Sequence, residues 1–144
     1  MNKVFVKTQN VKNFIGLVEN LINKPKNIPK MGLVYGEPGL GKSQTALWLA
    51  CKYDGIYLRA TNLMTGRWLL EELVKELDEI PRYLTSDNFN IVVKKLKQKP
   101  QMIFIDEIDY LNKPVNLLCS NMLLHKFSVT FYSFHCHANM HLQL

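Results

Sequence analysis

Residues 36–43 read GEPGLGKS, matching the spacing G-x-x-x-x-G-K-[ST] at every specified position, and no other stretch restricts the chain so tightly. A loop of this kind aims backbone N–H groups inward at a polyphosphate. It works only between a preceding strand and a following helix. Gly36, Gly39 and Gly41 allow the turn and the close approach of oxygen, with Glu37, Pro38 and Leu40 between them. Lys42 supplies a cation for the β- and γ-phosphates. Ser43 offers a hydroxyl to Mg²⁺ and opens the helix, and Gln44 completes the nucleotide-binding set in the first turn.

The flanks supply what the octet requires. Met31, Gly32, Leu33, Val34 and Tyr35 form a short apolar run that predicts a strand, and Thr45 to Tyr53 reads as a helix. Downstream, residues 102–109 read MIFIDEID, an apolar strand ending in two carboxylates. At the carboxyl edge of a parallel sheet those acids would face the phosphate loop. Asp106 is then the expected holder of Mg²⁺, opposite Ser43. Glu107 is the expected base that orients and deprotonates the attacking water, with Lys42 as its cationic partner in catalysis. Asp109 is expected to cap a turn outside the site.

Between these motifs the periodicity alternates between helix and strand. Thr8 predicts an N-cap for a helix with Val11, Phe14, Ile15, Val18, Leu21 and Ile22 inward, stopped at Lys24-Pro25. In the helix after the loop, Leu47, Trp48, Leu49 and Ala50 are the expected apolar surface. Ile56 to Ala60 predicts a second strand, and Thr65 to Leu77 a helix carrying Trp68, Leu69, Leu73 and Leu77. Ser86 or Asp87 predicts the cap of a further helix with Phe89, Val92, Val93 and Leu96 on one face, ended by Pro100. Thr61 or Asn62, just past the second strand, is a candidate to hold Glu107 in an inactive rotamer until a partner binds, while turn chemistry is the role that suits Asn62 better. This alternation implies an α/β fold: a parallel sheet covered by helices on both faces.

Bulk properties narrow the setting. The chain of 144 residues is 47% hydrophobic and 21% charged, ordinary values for one globular domain. It has no apolar run of bilayer length and its start lacks a secretory hydrophobic segment, so no membrane partner is expected and the cytoplasm is the expected compartment. Cys51, Cys119 and Cys136 form no C-x-x-C pair, which argues against a disulfide framework. The net charge of +6 is concentrated in Lys3, Lys7, Lys12, Lys24, Lys26 and Lys30 and in the run Lys94, Lys95, Lys97 and Lys99. Such a surface suits either solvation or non-specific contact with DNA.

The loop GEPGLGKS, the Walker B-like MIFIDEID and the stretch YLRATNLMTGRWLLEELVKEL at 57–77 resemble AAA+ P-loop ATPases, in particular the transposition protein B type known from phage Mu. That resemblance implies ATP and Mg²⁺ as ligands, the Asn10-Val11 segment near the adenine, homo-oligomeric assembly on DNA and a transposase as protein partner. It divides the chain into an N-terminal helix and linker over 1–30, an ATPase core over 31–111 and an atypical tail over 112–144. After Leu111 the resemblance stops: arginine is confined to Arg59, Arg67 and Arg82, and no finger is assignable in the tail. The expected sheet is therefore incomplete, with the sensor strand, last strand and helical lid largely missing. Phe127 to Phe134, after a helix over Val115 to Lys126, is the one candidate for the missing strand, with Ser133 or His135 at the sensor position. His135, Cys136, His137 and His141 do not match a known zinc spacing. Loss of the coding frame near residue 112, leaving a truncated domain, would explain the tail. Two functions remain open: an ATPase whose turnover drives assembly on DNA, and a nucleotide-binding module with little hydrolysis. A small kinase fits less well, since Asp-Glu suits activation of water better than of an acceptor hydroxyl.

Overall fold

A computed structural model of the chain describes residues 8–25 and 30–111 in full, and beyond them the backbone of two short strands at 129–131 and 141–143. Four helices and five strands follow in the order α1 (Gln9–Asn23), β1 (Leu33–Tyr35), α2 (Lys42–Lys52), β2 (Ile56–Arg59), α3 (Gly66–Glu76), α4 (Thr85–Gln98), β3 (Ile103–Asp106), β4 (Val129–Phe131) and β5 (His141–Gln143).

β2, β3 and β4 form a parallel three-stranded sheet with β3 in the middle, and Arg59 lies opposite Asp106 in the β2–β3 register. β1 pairs antiparallel with β5 and lies alongside β4. The slot between the loop-bearing strand β1 and the acid-bearing strand β3 thus holds Val129–Phe131, within the predicted 127–134. Among the described residues the strands group into a two-stranded and a three-stranded sheet. Ser133, His135, Cys136, His137, the helix expected over 115–126 and the side chain of His141 lie outside the described residues.

Strand alternation sorts the core into two faces. Ile103 and Ile105 of β3 join Ile56 and Leu58 of β2 under α3 and α4, with Leu70, Leu73, Val74, Val92 and Leu96. On the other face Phe104 and Val34 pack with Phe14, Val18 and Leu21 of α1 and Ala46 and Leu49 of α2. The N-terminal helix therefore shares a core with the glycine-loop unit. Val11 is buried with it.

Thr8 caps α1 by accepting from the Val11 amide, and Thr65 caps α3 by accepting from Trp68. Three residues expected to face inward do not: Ile22, Leu47 and Trp68 are exposed, while Leu17, Thr45 and Leu70 take the buried positions. Each helix buries a stripe narrower than its apolar content, and the Trp68 indole N–H instead donates to Glu72. α4 also starts earlier than Ser86 or Asp87 would allow: Thr85 is its first residue and Leu84 caps it without a side-chain bond. The turn ahead of it is held by Asn88, wholly buried, which accepts from the Arg82 amide at 2.6 Å and donates to the Arg82 carbonyl at 3.0 Å.

Candidate nucleotide site

The loop leaves β1 at Tyr35 and enters α2 at Lys42 with backbone torsions that only glycine adopts without strain. Gly39 has φ +84° and Gly41 φ +79°, and a Cβ built at either would meet nothing within 4 Å, so the inner face of the loop is open. Gly41 caps α2 in the left-handed conformation and no side chain caps the helix. A helix start of this kind suits an anion, and the helix dipole adds to the attraction. Thr45 steadies the first turn, donating through Oγ1 to the Gly41 carbonyl at 2.7 Å.

Lys42 is buried at 6% exposure, and its ammonium donates to the Gly36 carbonyl at 2.8 Å and to the Glu37 carbonyl. A buried cation held by loop carbonyls suits a polyanionic ligand.

The acids approach from β3. Asp106 is two residues beyond Phe104 and so faces the α1–α2 side, where the loop lies. It is completely buried. Its Oδ1 accepts from the Glu107 amide at 3.1 Å and its Oδ2 from the Tyr57 hydroxyl at 2.7 Å. Burial first, and then that bond to Asp106, push the Tyr57 pKa upward. Glu107 adopts a left-handed conformation, φ 56° and ψ 40°, a strained choice for a residue with a Cβ. The bend turns the chain into a 3-10 turn over Ile108–Tyr110.

Glu107 and the glycine loop line one cavity of about 570 Å³, a size that suits a small ligand. Gly36, Pro38, Gly39, Gly41, Lys42, Ser43 and Gln44 form one wall and Glu107 the other. Of the remaining expected site residues, Glu37, Leu40 and Asp106 are not part of its lining, and Asp106 is wholly buried. Asp109 and Tyr110 also line it, so Asp109 lies in a turn, as expected, but one that borders the cavity. The short 3-10 turn keeps it beside the glycine loop, a proximity that the local sequence does not encode.

The partner of the Glu107 carboxylate is Arg59. Its guanidinium lies 2.6 Å from Glu107 Oε1, whereas Thr61 and Asn62, the expected partners, are exposed. Strand alternation explains the difference, because Arg59 and Tyr57 share the face of β2 that Asp106 shares on β3, and β2 ends at Arg59. The hydrogen bond to Glu107 raises the Arg59 pKa further. The donor set present, a buried lysine and a serine at a helix start on one side of the cavity, the Glu107 and Asp109 carboxylates on its lining and the buried Asp106 next to Glu107, fits a triphosphate with Mg²⁺.

A family profile described as "AAA domain" matches residues 27–142, a span that continues well past Leu111. Among solved structures, the Aeropyrum pernix Orc1 protein in complex with DNA superposes with a TM-score of 0.64 at 16% sequence identity, covering 95% of this chain and 40% of that one. At that identity the likeness is one of fold. The chain thus spans well under half the length of that protein. No curated protein sequence matches it. Among the described residues, no helix is long and apolar enough to cross a membrane.

Proposed function

Because this chain belongs to the AAA family of ATPase domains, we propose that it binds ATP with Mg²⁺ between the glycine loop and the end of β3, and that its hydrolysis is held low until a partner engages. The observation that carries this reading is the Glu107 carboxylate, on the wall of the same cavity as Lys42 and Ser43 yet tied to Arg59.

The loop amides and the α2 N-terminus receive phosphate oxygens, and Lys42 exchanges its carbonyl partners for the β- and γ-phosphates. Ser43 and Asp106 would hold Mg²⁺, which when bound neutralises phosphate charge. Glu107 orients the attacking water and takes its proton once its carboxylate leaves Arg59. With radiolabelled ATP, stoichiometric binding with slow steady-state phosphate release is expected. Failure to bind ATP at all would discard the proposal. Fast release by the isolated chain, abolished by Glu107→Gln, would instead favour a free-running ATPase.

The partner we propose is duplex DNA, bound without sequence preference, as part of a DNA-associated assembly such as a transposition complex containing a transposase and further copies of this chain. Support comes from the net charge of +6 and from exposed Lys94 and Lys97 on α4, and the resemblance to transposition ATPases points the same way. ATP turnover measured with duplex DNA across a salt series is expected to rise with DNA and to lose that stimulation steeply as salt increases. Turnover indifferent to DNA at low salt would exclude this partner.

A further inference from the structure

Strand β2 presents Tyr57 and Arg59 on one face, and the two side chains bond to the two consecutive acids that end β3. Arg59 lies opposite Asp106 and reaches on to Glu107. Tyr57 lies opposite Phe104 and reaches diagonally forward to Asp106, a span that an aromatic side chain covers between neighbouring strands.

We infer that Tyr57 is a positioning residue for Mg²⁺: its hydroxyl fixes the rotation of the Asp106 carboxylate so that the remaining lone pairs face the metal-binding side of the cavity. Asp106 is wholly buried and holds one donor on each oxygen, the Glu107 amide on Oδ1 and the Tyr57 hydroxyl on Oδ2. The amide bond alone leaves the carboxylate free to swing about it. The second bond, from a ring packed against the α1–α2 core, removes that freedom. A carboxylate held in this way needs no reorientation when metal arrives, and loss of such an outer partner commonly weakens metal binding about tenfold to a hundredfold.

This inference rests on the ATP and Mg²⁺ reading above, and its test separates the two. Binding of a fluorescent ATP analogue is measured with EDTA and across a Mg²⁺ titration for the parent, Tyr57→Phe, Asp106→Asn and the double variant. Phenylalanine keeps the ring in the core. If the parent binds no nucleotide, the site reading itself is lost. If it does, Tyr57→Phe is expected to keep the metal-free affinity of the parent and to raise the Mg²⁺ concentration for half-saturation at least about tenfold. In the Asp106→Asn background the same change is expected to add nothing. An unchanged Mg²⁺ requirement in Tyr57→Phe, or an equal and additive effect in both backgrounds, overturns the role.

Discussion

The Arg59 guanidinium and the Glu107 carboxylate meet at 2.6 Å across the ends of β2 and β3, with the arginine side chain 62% exposed and the glutamate 27%. A pair so open to water is weak, on the order of 0.2–1 kcal/mol, and screened by salt. It suits a latch that a partner can release.

Arg59→Ala is therefore expected to raise basal ATP turnover by about 1.4-fold to fivefold, the rate equivalent of a contact of that strength. Raising the salt concentration should move the parent toward the variant. Steady-state phosphate release reads both effects, and a variant slower than the parent would mean that Arg59 supports the reaction.

Glu107→Gln keeps the shape of the acid and removes its basicity. Turnover should fall at least about a hundredfold while ATP affinity stays near that of the parent. Lys42→Ala should lose the affinity itself, because the ammonium is the one buried cation among the described residues. Equilibrium binding alongside turnover separates the two variants, and matching defects in both would contradict the assigned roles.

Asn88→Ala should destabilise the fold by about 2–4 kcal/mol, since it strands the amide and carbonyl of Arg82 beside a wholly buried side chain. Urea denaturation measures it. A loss under about 1 kcal/mol would mean that water replaces the amide.

Gly55→Ala should also cost stability, about 1–3 kcal/mol. A Cβ there would stand 2.8 Å from the Met102 carbonyl, the acceptor of the Ile56 amide at the start of the β2–β3 ladder. Thermal melting of the variant tests this, and an unchanged midpoint would show that the strand edge yields.

Local chemistry was the legible part of this sequence. The glycine loop, the Thr8 cap and the apolar strand ahead of Asp106 each announce themselves within a few residues, because their physics is a turn, a cap or an alternation. The Arg59–Glu107 and Tyr57–Asp106 contacts join residues 48 and 49 positions apart, and depend on a register in which Arg59 faces Asp106. Nothing within β2 encodes that register. The exposure of Ile22, Leu47 and Trp68 escaped for a related reason: helical spacing marks a stripe, and the neighbouring element decides which edge of it is covered. The start of α4 at Thr85 carries no side-chain cap, and the Asn88 grip on Arg82 ahead of it joins residues six apart, so neither is marked by a local cap signal.

The ammonium of Lys42 lies folded onto the carbonyls of its own loop. Nucleotide capture by this lysine is thus a substitution rather than an addition: a phosphate oxygen that takes the ammonium displaces bonds already made, and the net gain there is the difference between two sets of partners. A measured dissociation constant will report that exchange. Inorganic anions able to lure the lysine away without spanning the cavity should then act as competitors out of proportion to their size.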